Sequence, residues 1–314
     1  MTGSQALGER SWCDLPASAR TGIERRLGGA VCAFDPATGG FSDGVLGLVT
    51  TVAGRAFIKA VPSDSSSAAD YCTETAVSQI LPSGVPTPRL RFTFEQHGWL
   101  VICFDAVDGR HPAEPWAAGQ LGAVLRTLHA CENALSSVAL PGLPTVADRM
   151  QGRCRTWRSL AETGIRDQLG VDDLSAWERD HLDRLAQVEE GWEREVDGED
   201  LLHFDLRFDN IMLGSGGGVW FLDWGRGCTG PPWIDVVCLL LESDLGAVDA
   251  PAAFAAHTLG SSPDGRAVDA FLVALASNWR HSATEPAPPH APDLQARRIR
   301  SRDQTLTWLA HRWP

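Results

Sequence analysis

The chain has 314 residues, of which 44% are hydrophobic and 21% charged, and its 40 acidic and 27 basic side chains give a net charge of −13. These proportions exclude an intrinsically disordered chain and allow one large domain or two lobes. The acidic balance argues against a nucleic-acid-binding protein, which needs a basic surface to contact the phosphate backbone.

The first hundred residues alternate short β-type runs with turns. Residues 41–52 and 55–61 flank Ala53-Gly54, and this arrangement predicts a β-hairpin. A helix is predicted over 68–81, after a polar loop that can cap it and before a group of prolines that ends it. The continuous apolar run 99–104 predicts a buried strand.

Helical patterns dominate after that strand. The leucines and valine of 121–128 recur at the spacing of one helix face, and a second helix of this kind is predicted over 174–188. Short apolar runs predict three further strands, at 201–203, 211–213 and 219–222.

These patterns predict an α+β fold with two lobes. Residues 1–104 are expected to form a small β-rich N-lobe and residues 105–314 a larger, mostly helical C-lobe. No apolar run reaches the roughly 18 residues of a membrane span, and the N terminus lacks a charged region followed by an apolar one. The sequence therefore predicts a cytoplasmic protein with no membrane partner.

Lys59 is the only lysine of the chain, so 27 − 1 = 26 of its basic residues are arginines. A lone lysine against this bias predicts a position that arginine does not fill, because a compact ammonium and a planar guanidinium are not interchangeable. It also excludes a Walker A loop elsewhere, since that loop needs its own lysine. The glycine-rich segment 214–218 instead predicts the tip of a hairpin.

The densest chemical signal is the run from His203 to Asn210, followed by Asp223-Trp224-Gly225. Hard divalent cations take oxygen ligands, and Mg²⁺ usually accepts one or two from the protein and the rest from phosphate and water. Asn210 and Asp223 are therefore candidate ligands, which leaves Asp205 to orient a hydroxyl and accept its proton. A hydrolytic metal site is not indicated, because the sequence offers no second histidine cluster.

This order of residues resembles the catalytic loop and the metal-binding aspartate of the protein-kinase-like superfamily. It is most similar to the branch of aminoglycoside phosphotransferases and choline kinases, and the similarity covers most of the chain. Lys59 matches the third-strand lysine, Glu74 its acidic partner in the next helix, and Asp235 the aspartate that braces the catalytic loop. The resemblance implies a bilobal protein-kinase-like fold.

The resemblance also implies a role for each matching residue. Lys59 would hold the α- and β-phosphates of ATP or GTP, and Asp205 would be the catalytic base. The other implied nucleotide-binding residues are Glu74, Gly40, Ser42 and Gly44 of the phosphate-covering loop, Phe104, Asp105 and Val107 of the hinge, and Arg207. Asn210 and Asp223 would hold Mg²⁺, with His203 and Asp235 as structural support.

Three features depart from the pattern of related kinases. Phe204 stands where the antibiotic-modifying branch usually has glycine. Arg207 stands where small-molecule kinases often have histidine, and it can pair with the γ-phosphate or with Asp209. Only eleven residues separate Asp223 from Asp235, which leaves no room for a long activation segment and argues against a regulated protein kinase.

The leading hypothesis is a Mg²⁺-dependent O-phosphotransferase that acts on a small hydroxylated molecule, by resemblance an aminoglycoside-like antibiotic, and so confers antibiotic resistance. Seven acids and two arginines give residues 236–293 a net charge of 2 − 7 = −5, which would attract a cationic acceptor or simply form a solvated face. A second hypothesis is a kinase of natural-product biosynthesis that phosphorylates Ser or Thr of a precursor peptide, or an intermediate. A third is a nucleotide-binding scaffold without turnover.

Overall fold

The computed structural model describes residues 10–37, 44–117, 119–136, 138–163, 174–241, 246, 248–257, 263–287 and 291–314. These residues group into two compact units. Unit 1 takes its residues from 1–112, 208–227 and 288–292, and unit 2 from 113–207, 228–287 and 293–314. This grouping does not test the domain boundary expected after residue 104, which stays a prediction. No helix in the described ranges is long and apolar enough to cross a membrane.

The elements up to residue 112 belong to unit 1. They are α1 (Ala17–Leu27), β1 (Ala33–Pro36), β2 (Val45–Thr51), β3 (Gly54–Pro62), α2 (Ala68–Ile80), β4 (Leu90–Gln96), β5 (Trp99–Asp105) and β6 (Gly109–Arg110). The rest are mostly helical. They are α3 (Gln120–Leu135), α4 (Val146–Met150), α5 (Thr156–Thr163), α6 (Ala176–Asp180), α7 (Leu182–Glu189), α8 (Trp192–Glu195), β7 (Asp200–Leu202), β8 (Ile211–Gly214), β9 (Val219–Phe221), β10 (Cys228–Gly230), α9 (Trp233–Leu241), α10 (Ala250–His257), α11 (Gly265–Ala283) and α12 (Leu294–Arg312).

A five-stranded antiparallel sheet with the order β1-β2-β3-β5-β4 forms the centre of unit 1. The predicted hairpin is confirmed as the β2–β3 pair, in which Thr51 pairs with Gly54. Lys59 lies on the central strand β3, opposite Leu46 on one side and Ile102 on the other. A residue in this position is held by ladders on both sides of its strand, so its side chain projects from a rigid part of the sheet.

The sheet of unit 1 has an apolar layer on each face. One layer contains Ile58 and Val101 together with Ile23 of α1, all fully buried. The other contains Val61 and Ile102 together with Tyr71 of α2. Burial of each aliphatic side chain stabilises the folded state by about 1.5–3 kcal/mol. This apolar layer therefore holds α2 against the face of the sheet towards which Lys59 points.

A small hairpin completes unit 1. Strands β8 and β9 pair with Ile211 opposite Phe221, and β6 adds to the other edge of β8. The predicted hairpin tip is confirmed, because the N–H of Gly214 donates to the carbonyl of Gly218 at 2.8 Å. At the open end of this hairpin, residue 210 lies beside residue 222, and Asp223 is the next residue of the chain.

Helices build most of unit 2. Every residue of α9 is buried, and Asp235 is its only charged residue. The predicted helix face of 121–128 is confirmed in α3, where its leucines and valine are buried. The single helix predicted over 174–188 is wrong, since the structure divides it into α6 and α7 at His181, whose backbone has φ −106° and ψ 6°.

Candidate active site

Lys59 lies in a buried cluster of charges in unit 1. Its Nζ donates to both carboxylate oxygens of Glu74, at 2.7 and 2.8 Å, and lies 3.0 Å from Oδ1 of Asp223. Glu74 shares the buried face of α2 with Tyr71 and Val77, at helical spacing. The side chains of Lys59 and Glu74 are 7% and 3% exposed, whereas that of Asp223 is 40% exposed. The cluster is therefore closed except on the Asp223 side.

The electrostatics of this cluster keep the lysine charged. Burial alone lowers the pKa of Lys59, but the carboxylates of Asp223 and Glu74 raise it by more, so the pKa lies above its ordinary value. Burial raises the pKa of Glu74 to about 7, an effect that Lys59 opposes and Asp223 reinforces. Lys59 is thus a fixed positive charge at neutral pH.

Asn210 and Asp223 lie at one end of the β8–β9 hairpin. Asn210 directly precedes β8, and its carbonyl accepts a hydrogen bond from the N–H of Leu222 at 2.8 Å. Asp223 has a left-handed backbone with φ 63°, which is uncommon for a residue other than glycine. A sheet register and one hydrogen bond thus bring together the two residues that the sequence proposed as metal ligands.

Gly225 lets α2 pack closely on the turn that follows Asp223. A Cβ atom at Gly225 would lie 3.1 Å from the carbonyl oxygen of Asp70 and 3.3 Å from Oδ1 of Asp223. Arg226 then places its Nη1 3.7 Å from Oδ2 of Asp70. The helix that carries Glu74 and the turn that carries Asp223 are therefore in direct contact.

In unit 2, a buried carboxylate holds the loop that follows β7. Asp235 accepts the backbone N–H groups of His203 at 2.8 Å and of Phe204 at 2.7 Å. Burial raises the pKa of Asp235, while His203 and these two hydrogen bonds lower it by less. The N–H of Asp205 donates to Nδ1 of His203 at 3.3 Å.

Asp205 and Arg207 lie in the same loop of unit 2. Nε of Arg207 is 3.8 Å from Oδ2 of Asp205, and their side chains are 10% and 26% exposed. The carboxylate is thus partly open to solvent, while the neighbouring guanidinium is nearly buried. The structure brings together His203, Asp205, Arg207 and Asp235 within unit 2.

Phe204 adopts a left-handed backbone conformation with φ 60°. This costs an L-residue about 1–2 kcal/mol relative to a relaxed backbone, and glycine escapes the cost. We expect the Phe204→Gly variant to be more stable than Phe204→Ala by about 1 kcal/mol, because both lose the ring and only alanine keeps the strain. Urea unfolding of the two variants measures this difference, and equal stabilities would contradict it.

Two of the three predicted hinge residues, Phe104 and Asp105, already form hydrogen bonds or ion pairs with neighbouring residues of unit 1. The N–H of Asp105 donates to the carbonyl of Arg89 at 2.9 Å, and its carboxylate pairs with Arg89 and Arg91. Phe104 pairs with β3 and β4 inside the sheet. Val107 follows β5 in irregular backbone, and the described residues provide no partner for its N–H.

Three predicted loop residues remain. Gly44 directly precedes β2, whereas Gly40 and Ser42 lie outside the described residues. The sequence analysis did not single out Tyr71, whose ring lies 5.4 Å from Nζ of Lys59, or the Asp70–Arg226 pair. Tyr71 is the only tyrosine of the chain and precedes Glu74 by three residues, so helical spacing could have indicated it.

A β-sheet region with a buried lysine–glutamate pair, followed by a mostly helical region with a braced His-x-Asp loop, defines a kinase-like fold. The chain belongs to the phosphotransferase enzyme family (APH), whose model matches residues 35–272. No significant relative was found among curated proteins.

Solved structures show the same fold over nearly the whole chain. An aminoglycoside phosphotransferase from Alicyclobacillus acidocaldarius is 18% identical, with 98% of each chain covered and a TM-score of 0.62. A mutant of the aminoglycoside phosphotransferase APH(4)-Ia with ADP and hygromycin B is 13% identical, with 94% of this chain and 98% of that chain covered and a TM-score of 0.61. Choline kinase LicA from Streptococcus pneumoniae is 14% identical, with 93% and 100% covered and a TM-score of 0.60.

These identities are too low to show more than the fold. Together with the family match, they support the predicted branch of aminoglycoside phosphotransferases and choline kinases. The chain is therefore a small-molecule phosphotransferase whose acceptor is an alcohol group.

Proposed function

We propose that the protein transfers the γ-phosphoryl group of ATP or GTP, with Mg²⁺, to a hydroxyl of an aminoglycoside-like antibiotic. The observation that carries this proposal is the buried Lys59, which Glu74 and Asp223 hold from two different elements. A lysine fixed in this way presents a permanent positive charge to a nucleotide phosphate. Phosphoryl transfer depends mainly on such placement and charge neutralisation, because it asks little covalent chemistry of the protein.

Asn210 and Asp223 are the proposed Mg²⁺ ligands. Their amide and carboxylate oxygens are the hard donors that this ion prefers, and they lie at the same end of one hairpin. No group of three or more His, Cys, Asp or Glu residues in the described ranges would hold a metal alone. Mg²⁺ takes few protein ligands when nucleotide phosphates supply others. When bound, Mg²⁺ neutralises charge on the phosphate oxygens.

We assign the nucleotide base to the hinge. Relatives of this fold have been crystallised with ADP, which supports a nucleotide co-substrate. The N–H of Asp105 is already used by Arg89, so the main chain of Val107 is the better candidate for contact with the purine. Asp105 would then order the hinge through its pairs with Arg89 and Arg91. Gly44, with Gly40 and Ser42, would cover the phosphates.

Asp205 is the proposed catalytic base. Its carboxylate is partly exposed and accepts the proton of the acceptor hydroxyl as the phosphoryl group arrives. His203 and Asp235 fix the loop backbone from behind, so they position Asp205 without touching the substrate. Arg207 is proposed to pair with the γ-phosphate, since its guanidinium lies beside the base and carries a permanent charge.

The acceptor class rests on the similar proteins rather than on surface charge. Structures of this fold contain hygromycin B and spectinomycin, which are hydroxylated antibiotics. Within residues 236–293, Asp269 and Glu285 are paired with Arg312 and Arg298, so these two acids add little to the attraction of a cationic acceptor. We place the activity in the cytoplasm, where ATP and GTP are available, and propose antibiotic resistance as its role.

The test is a transfer assay with defined acceptors. Purified protein is incubated with Mg²⁺, with ATP or GTP, and with one acceptor per reaction: an aminoglycoside, spectinomycin, choline or a Ser/Thr peptide. Mass spectrometry then detects the gain of one phosphoryl group by the acceptor. We expect an aminoglycoside to be phosphorylated with Mg²⁺ and not with a chelator. Phosphorylation of the peptide alone, or of no acceptor, would contradict the proposal.

A further inference from the structure

A polar cavity of about 170 Å³ opens in unit 1, and none of the candidate active-site residues lines it. Three elements form its walls: the end of α1, the β2–β3 turn and the start of β4. The lining side chains include Arg26, Leu27, Thr51, Arg91 and Phe92, and no acidic residue is among those that line it. The volume is below the roughly 300–1,000 Å³ of pockets for drug-sized ligands, so the cavity suits a small ligand.

Both arginines are held in place by the protein itself. The guanidinium of Arg26 lies 4.0 Å from the ring centroid of Phe94, and its Nη1 donates to the carbonyl of Gly22 at 3.0 Å. Nε of Arg91 lies 2.9 Å from Oδ1 of Asp105, and its Nη1 donates to the carbonyl of Arg55 at 3.4 Å. Each guanidinium has five N–H donors, of which these contacts use one on Arg26 and two on Arg91, and Cys103 is a further partner of Arg91.

The charge around the cavity is positive although the chain as a whole carries −13. Arg89 and Arg91 share the carboxylate of Asp105, and no acidic side chain lines the cavity beside Arg26. The carboxyl end of α1 adds only about half a negative charge. Two ordered guanidiniums therefore dominate the electrostatics of this cavity.

We propose that this cavity is a binding site for a small phosphate-type oxyanion, either free inorganic phosphate or a phosphomonoester. Guanidiniums bind such oxygens through paired, charge-assisted hydrogen bonds, and two that are already ordered lose little entropy on binding. Leu27 and Phe92 offer apolar contact to the small organic group of a monoester. The cavity contains neither the proposed catalytic base nor the proposed Mg²⁺ ligands, and it touches the proposed hinge only through the Arg91–Asp105 pair.

Calorimetric titration of the full chain tests the proposal. Inorganic phosphate in one arm and phenyl phosphate in the other are added at constant ionic strength, up to about 10 mM. We expect saturable binding that Arg26→Gln and Arg91→Gln each weaken about tenfold or more. Tighter binding of phenyl phosphate would assign the site to phosphomonoesters, and tighter binding of inorganic phosphate to the free ion.

Arg25→Gln is the matched control, because Arg25 precedes Arg26 on the same helix, is exposed and does not line the cavity. It removes the same charge and should leave the affinity unchanged. Equal weakening by Arg25→Gln, binding that survives both cavity variants, or no saturable binding in either arm would overturn the proposal. Arg26→Gln leaves the Arg91–Asp105 pair in place, so the test holds even where Arg91→Gln fails to fold.

Discussion

The Asp205→Asn variant is expected to lose phosphoryl transfer by about 10²–10⁴-fold in kcat while it binds nucleotide as the parent protein does. Asparagine has the same shape and leaves the backbone bond from residue 205 to Nδ1 of His203 unchanged. It removes the capacity to accept a proton from the acceptor hydroxyl, together with the negative charge beside Arg207. Steady-state kinetics with an acceptor that the transfer assay shows to be phosphorylated, and calorimetric titration with ADP and Mg²⁺, measure the two effects separately.

Asp200→Asn provides the matched control for this experiment. Asp200 lies on β7, five residues before Asp205, and substitution removes the same charge from the same unit. Burial, with the neighbouring Glu199, raises the pKa of Asp200, so the neutral amide should be tolerated there. We expect kcat to stay within about twofold of the parent, because Asp200 has no proposed part in proton transfer. An Asp205→Asn variant that kept a tenth or more of the parental kcat would exclude Asp205 as the base.

The sequence predicted those parts of the fold and site in which local pattern and chemistry agree. Lys59 was singled out by its uniqueness, and its pair with Glu74, which the resemblance implied, is confirmed. The spacing of α2 places Glu74 on the same face as Tyr71, so its burial follows from the helical period. The carboxylate pair with Lys59 is then a consequence of the apolar layer between α2 and the sheet.

The features that the sequence did not predict depend on close packing or on backbone conformation. Helix α1 buries only Ala19, Gly22 and Ile23, so its apolar signal is weak. A Cβ atom at Gly22 would lie 2.9 Å from Gln96 and 3.0 Å from Phe94, which shows that α1 packs on β4 through a small residue. The break at His181 is likewise a matter of backbone dihedrals, and the apolar spacing on both sides continues across it.

At Phe204, a departure that is visible in the sequence coincides with an unusual backbone conformation. From the sequence, phenylalanine was seen only to depart from the glycine that the resemblance implies at this position. The left-handed φ of 60° at Phe204 is a conformation that glycine adopts without steric cost. Asp235 accepts the backbone N–H groups of both His203 and Phe204, so this strained conformation is fixed by a buried carboxylate. Strain of this kind persists where surrounding contacts determine the backbone.

The Lys59→Arg variant is expected to raise the KM for nucleotide at least about tenfold and to lower the free energy of unfolding, although the positive charge is kept. The ammonium fits between Glu74 and Asp223 at 2.7–3.0 Å in a site that is 5% exposed, and a planar guanidinium is larger and has fixed donor directions. Disrupting a buried ion pair costs about 3–5 kcal/mol when one partner is left uncompensated, and arginine that fits poorly should cost part of this.

The two expected effects can be separated by a second substitution. Glu74→Asp shortens the facing carboxylate by one methylene, so the double variant Lys59→Arg/Glu74→Asp should regain stability without regaining the parental KM. Arg55→Lys is the matched control, since it exchanges the same two residue types on the same strand at an exposed position. We expect it to leave both the unfolding midpoint and the KM unchanged. A Lys59→Arg variant with parental nucleotide affinity and turnover would show that Lys59 does not contact the phosphates, because only a site built around the compact ammonium distinguishes the two cations.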